Sequence, residues 1–112
     1  MSYIKYKKNN LFVENISVKR LISKYKSPFY LYSKANIVGN YKAFYSNFKK
    51  VDPLICFSVK ANSNVQILKI LKKIGSGADV VSGGELLKTL KSGIKPNKIV
   101  FSGVGKTEEE LR

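Results

Sequence analysis

From residue 54 onward, short apolar runs alternate with longer stretches in which apolar residues recur every third or fourth position. LICFSVK (54–60) reads as a strand, and VQILKILKKI (65–74) as an amphipathic helix closed by Gly75. ADVVS (78–82) reads as a second strand and GELLKTLKSG (84–93) as a second helix with a glycine stop. KIVFSG (98–103) follows as a third strand, and Thr107 with Glu110 has the spacing of a capping box opening a third helix. The strand ends fall at residues 60, 82 and 102, so one β/α unit recurs about every twenty residues. That alternation predicts an α/β fold with a parallel sheet and right-handed crossovers. Chemistry in such folds gathers at the carboxyl ends of the strands, where Lys60, Ser82 and Ser102 are expected to share one rim.

The first third follows a different pattern. Residues 1–33 read as short extended pieces around one small helix. LFVENISV can pair as a strand, Ser17 can cap a helix over VKRLISKY, and Pro28 introduces the aromatic, β-prone FYLYS. From Ser33 the pattern turns helical, with Ile37, Tyr41, Ala43, Phe44 and Phe48 near one face of residues 34–49. The break near residue 33 is the expected domain boundary.

Composition adds bounds. The chain of 112 residues is 44% hydrophobic with 13 Phe and Tyr, enough for a packed core. Its formal charge is +14, and residues 1–50 hold 11 basic side chains against the single acid Glu14. Of the 21 cations 19 are Lys, whereas phosphate recognition favours the guanidinium fork of Arg. Without arginine–aromatic patterning, no specific nucleic-acid partner is expected. Cys56 is the only cysteine, so no intrachain disulfide can form and a cytoplasmic location is expected. The start, MSYIKYKKNN, lacks an apolar signal core, and no run is long enough to span a bilayer, so no membrane partner is expected.

Within the first strand, Ile55, Phe57 and Val59 alternate with Cys56, Ser58 and Lys60. The second set is small, mildly polar, and ends in an amine at the strand end. A lysine that is partly desolvated loses proton affinity and can attack a carbonyl. Spacing alone leaves a solvated surface lysine as the alternative. GVGKT (103–107) invites a phosphate-loop reading, but that motif needs glycine at position 100, which is Val100.

From Pro28 to the end, PFYLYS, CFSVKAN, GADVVSGGEL and KIVFSGVGKTEEEL resemble the beginning of the pyridoxal-phosphate-dependent diaminopimelate decarboxylases, within the ornithine/diaminopimelate/arginine decarboxylase family. The resemblance implies that Lys60, in the F-x-V-K-A-N motif, is catalytic and carries pyridoxal 5′-phosphate covalently, with Ile67, Leu68, Leu71 and Gly75 in the expected downstream places. It implies further that Asp79 and Glu85 line the cofactor site. Read from position alone, these two are a strand-end turn acid and a helix N-terminal acid. Ser58 departs from the family pattern, which has a small apolar residue there. Cys56 is read as a buried strand thiol, since the family's catalytic cysteine lies further along.

The fold so implied is the start of a (β/α)8 TIM-type barrel of the alanine-racemase-like kind (residues 34–112), preceded by a segment of a β-domain (residues 1–33). A whole barrel takes about 250 residues. The family's ring-stacking histidine, glycine-rich phosphate loop and ring-nitrogen glutamate all belong downstream, so the expectation is an amino-terminal portion, inactive alone. The implied reaction converts meso-2,6-diaminopimelate to L-lysine and CO2 in a homodimer. The alternatives are another pyridoxal-phosphate barrel enzyme, such as an ornithine- or arginine-type decarboxylase or an amino-acid racemase, and a small basic binding protein. VVSGGEL argues against the first alternative.

Overall fold

The computed structural model describes residues 3–112, which fall into two units, one ending at Asn40 and the other running Tyr41–Arg112. In the first unit, strands β1 (Ile4–Lys7), β2 (Asn10–Val13) and β3 (Ile16–Ser17) pair antiparallel in that order. Lys8 and Asn9, both at positive φ, form the two-residue turn that matches strand twist, and Lys7 faces Asn10 across it. LFVENISV is therefore two strands and not one, because Glu14 also takes a left-handed φ of 55° and turns the chain. Helix α1 (Val18–Lys24) follows with Ser17 in the N-cap position, but the Ser17 hydroxyl makes no capping bond. FYLYS is not a strand: after the cis Ser27–Pro28 bond, residues 29–33 have no ladder partner among the described residues.

Helix α2 (Lys34–Phe48) shows how the one acid of the basic front half is used. The Glu14 carboxylate accepts the Ser33 hydroxyl at 2.7 Å and the Ala35 N–H at 2.9 Å, and Ser33 Oγ accepts the Asn36 N–H at 2.9 Å. A negative charge is thus placed at a helix N-terminus, where backbone N–H groups lack partners. These bonds hold the Glu14 carboxyl below its usual pKa, with the Ala35 N–H the largest cause.

In the second unit, β4 (Cys56–Ser58), β5 (Gly77–Val80) and β6 (Ile99–Phe101) form a parallel sheet in sequence order. Helices α3 (Val65–Lys73) and α4 (Gly83–Ser92) are the crossovers, and the short α5 (Glu108–Leu111) follows β6. Val59, Leu68, Ala78, Val80 and Ile94 form a buried core, with Phe57, Leu86, Ile99 and Phe101 packed against it. Gly75 and Gly93, at φ of +93° and +87°, stop the helices as the sequence predicts. Two other glycines are set by close approach. A Cβ at Gly77 would lie 2.5 Å from the Lys98 carbonyl oxygen, and one at Gly103 would overlap the Val81 carbonyl oxygen.

The strands are shorter than their apolar runs, because the flanking residues leave the ladder to enter turns. Thr89, fully buried on α4, has a hydroxyl without a partner among the described residues. An unsatisfied buried hydroxyl costs free energy that a methyl group does not. Thr89→Val is therefore expected to stabilise the protein by about 1 kcal/mol. Leu68→Ala, which empties the centre of the core, should cost about 2–5 kcal/mol. Urea unfolding midpoints check both, and a stability loss in Thr89→Val would contradict the first.

Candidate active site

The carboxyl rim of the parallel sheet begins where β4 ends. Val59 is fully buried against β5 and α4, and the chain there closes a 3₁₀ turn over residues 59–61, with the Asn62 N–H donating to the Val59 carbonyl. Asn62 Oδ1 then accepts the Asn64 N–H at 3.0 Å, and Asn64 Oδ1 accepts the Gln66 N–H at 2.9 Å as the N-cap of α3. The small polar residues of KANSN turn the chain within four residues from strand to helix. Lys60 consequently sits in the turn and not on β4, so the strand alternation that pairs it with Cys56 and Ser58 stops at residue 58. Its side chain is exposed and forms no ion pair or hydrogen bond among the described residues.

Register defines the two faces of the sheet. Phe57, Ala78, Ile99 and, one step on, Val80 and Phe101 face the helices. Ser58, Asp79 and Val100 share the opposite face, as do Cys56 and Gly77. Asp79 on the central strand accepts the Ser102 hydroxyl at 2.5 Å. Burial pushes the Cys56 thiol above its ordinary pKa, and the nearby Asp79 charge adds to that. The sheet face beside Lys60 is therefore narrow and mildly polar.

Glu85 and Ser82 are occupied locally. Ser82 caps α4, accepting the Glu85 N–H at 3.3 Å, while Glu85 Oε2 accepts the Val81 N–H at 3.0 Å. The pair satisfies two free N–H groups at a helix start, the bland reading of an acid in that place. Lys60, Ser82 and Ser102 all follow the carboxyl ends of their strands; Ser82 meets the backbone of Glu85, and Ser102 meets the carboxylate of Asp79.

One rim residue was not foreseen. Glu110 completes the expected capping box with Thr107, and its other oxygen accepts the Gly83 N–H at 2.6 Å. The glycine-rich loop after β6 is thereby tied to the start of α4. The capping spacing announces the local half of this role; the bond to a residue 27 positions away has no local signature. A cavity of about 440 Å³ lies at the amino end of the strands, lined in part by Tyr41, Tyr45, Asp52 and Lys98, away from the rim. Among the described residues no group of three or more His, Cys, Asp or Glu could hold a metal ion, and no helix is long and apolar enough to cross a membrane.

The parallel β/α sheet, with an unpaired lysine in the turn after β4, belongs to the class of the pyridoxal-binding barrels. Residues 34–112 match the family model described as pyridoxal-dependent decarboxylase, pyridoxal binding domain, and the chain belongs to that family. It is 46% identical over 109 residues to diaminopimelate decarboxylase of Aquifex aeolicus, covering 97% of this chain and 26% of that protein. A solved structure from Aquifex aeolicus superposes with a TM-score of 0.92 at 46% identity, over 97% of this chain and 27% of that one. Diaminopimelate decarboxylase from M. jannaschii does so with a TM-score of 0.92 at 35% identity, over 97% and 26%. The fold is thus the amino-terminal part of the pyridoxal-phosphate-binding barrel, and the chain spans about a quarter of the length of these relatives.

The Glu110 contacts generate a pH prediction. Bonds from the Thr107 and Gly83 N–H groups hold its carboxyl below the usual value. A folded-state pKa depressed below the unfolded one gives stability that is present above the unfolded value and lost as pH falls through the folded one. Glu110→Gln should therefore be less stable than the native protein at pH 7 and nearly equal to it at pH 2–3. Denaturation midpoints across that range check this; a difference independent of pH would contradict it.

Proposed function

We propose that the chain is the amino-terminal part of a diaminopimelate decarboxylase, which converts meso-2,6-diaminopimelate to L-lysine and CO2, with Lys60 holding pyridoxal 5′-phosphate. The observation that carries the reading is the free amine of Lys60 in the turn after β4, next to a face of small residues. A primary amine is the group that captures an aldehyde cofactor, and the small Ser58 is the last residue of β4 on the open face before it. The residues present therefore fit the cofactor. A relative of this chain has been solved with L-lysine bound, and diaminopimelate decarboxylases recur among the similar proteins at 41–50% identity.

The chemistry the cofactor supplies when bound is an electron sink for the pair left on the α-carbon as CO2 departs. The protein side of that work falls to the rim. Lys60 must present a neutral Nζ to the aldehyde and later accept or release a proton there. Asp79 supplies the fixed negative charge on the neighbouring strand. Glu85 positions the β5–α4 loop through Val81, an indirect role at the cofactor site. The Ser58 hydroxyl adds a polar group in register with Asp79.

In this reading residues 34–112 belong to the barrel, residues 1–33 join the β-domain, and the protein works as a cytoplasmic homodimer. The lysine-rich surface is solvated charge without a specific nucleic-acid partner.

Incubating the protein with pyridoxal 5′-phosphate, reducing with borohydride and mapping peptides tests the assignment. The label is expected on Lys60 and should fall at least tenfold in Lys60→Ala. Labelling spread over the other lysines, unchanged in that variant, would overturn it.

A further inference from the structure

We propose that Ser102 is a positioning residue: by donating its hydroxyl to Asp79 it holds that carboxylate toward β6 and leaves the Lys60 amine without a counter-ion. The inference rests on the reading of Lys60 as the cofactor lysine.

Asp79 lies on the central strand and has neighbours on both sides. In register, Ser58 of β4 is on one side and Val100 of β6 on the other. Of the two serines within reach of its strand, only Ser102 bonds to it, at 2.5 Å. A hydroxyl donating to a carboxylate at that separation is a strong, charge-assisted bond, and it fixes the direction of the side chain. Lys60 leaves β4 two residues beyond Ser58, on the side of Asp79 opposite Ser102, and has no ion-pair partner among the described residues.

Most other charged groups of the rim are engaged elsewhere, Glu109 of α5 being exposed to solvent. Glu85 accepts the Val81 N–H from the start of α4, and Glu110 accepts the Gly83 and Thr107 N–H groups from α5. Lys88 of α4 donates to the Ser63 hydroxyl, and Lys106 donates to the Gly103 carbonyl. The Cys56 thiol of β4 lies on the same face as Asp79, its pKa raised by burial and then by the Asp79 charge. Of the rim carboxylates, Asp79 is the one on the sheet itself, and its bond is to the Ser102 hydroxyl, whereas Glu85 and Glu110 are held by backbone N–H groups of helix starts, Glu110 with the Thr107 hydroxyl besides. A carboxylate free to swing to β4 would pair with Lys60 and favour its charged form, whereas capture of an aldehyde needs the neutral amine.

Competitive acetylation of the full chain with acetic anhydride over a pH series, read on the Lys60 peptide by mass spectrometry, follows this amine without any cofactor. Ser102→Ala should move the Lys60 midpoint upward by about half a pH unit. Ser102→Thr, which keeps the hydroxyl, should titrate with the native protein, and Asp79→Asn added to Ser102→Ala should abolish the rise. A Ser102→Ala profile that superimposes on the native one, or a rise that persists in the double variant, overturns the proposal. Failure of borohydride to label Lys60 would remove the cofactor assignment, while the acetylation profiles would still decide the role of Ser102.

Discussion

The burial of Val59 sets the geometry of the rim. Its side chain is fully enclosed by the core that β5 and the helices build, which anchors the backbone at the end of β4 where the chain turns. The turn that follows spends its bonds locally, on the Val59 carbonyl and on Asn62 and Asn64, and α3 starts at once. Lys60 is the residue left over, held between an apolar anchor on one side and a helix cap on the other. A long, flexible side chain thus leaves from a fixed root. Its position is decided by packing that it takes no part in.

The same principle explains the narrow face beside it. Gly77 lacks a side chain because the Lys98 carbonyl and the Cys56 sulfur come too close for one. Gly103 is held against the Val81 carbonyl in the same way. These approaches keep three strands and their loops in close contact at both ends. The open face carries Cys56, Ser58 and Asp79, with Val100 on the third strand.

Much of this was legible in the sequence, and what was not has a common cause. The helices α3 and α4, their glycine stops and the Thr107–Glu110 box follow from periodicity and short-range capping, and they stand within one residue of expectation. FYLYS has strand propensity but no partner strand, and propensity without pairing makes no sheet. The apolar run LICFSVK predicts burial correctly at Phe57 and Val59, yet burial in a turn and burial in a strand leave the same mark on a short run. The sense in which Lys60 is special came through a motif, since its own alternation with Cys56 and Ser58 ends two residues before it. Bonds between distant residues, such as Glu14 with Ala35 or Glu110 with Gly83, have no sequence period that could announce them.

The bond from Gly83 to Glu110 also bears on how order spreads through the chain. Each β/α unit here buries its helix against the sheet, and on that account alone successive units could open and close one at a time, as in a stacked array. A loop fastened to the start of the preceding helix breaks that independence. When α5 frays, α4 loses a partner for one of its first N–H groups. When the start of α4 loosens, the glycine-rich loop after β6 loses its anchor. Local opening at one rim loop is thus felt by its neighbour, and protection of the Gly83 N–H depends on the order of α5.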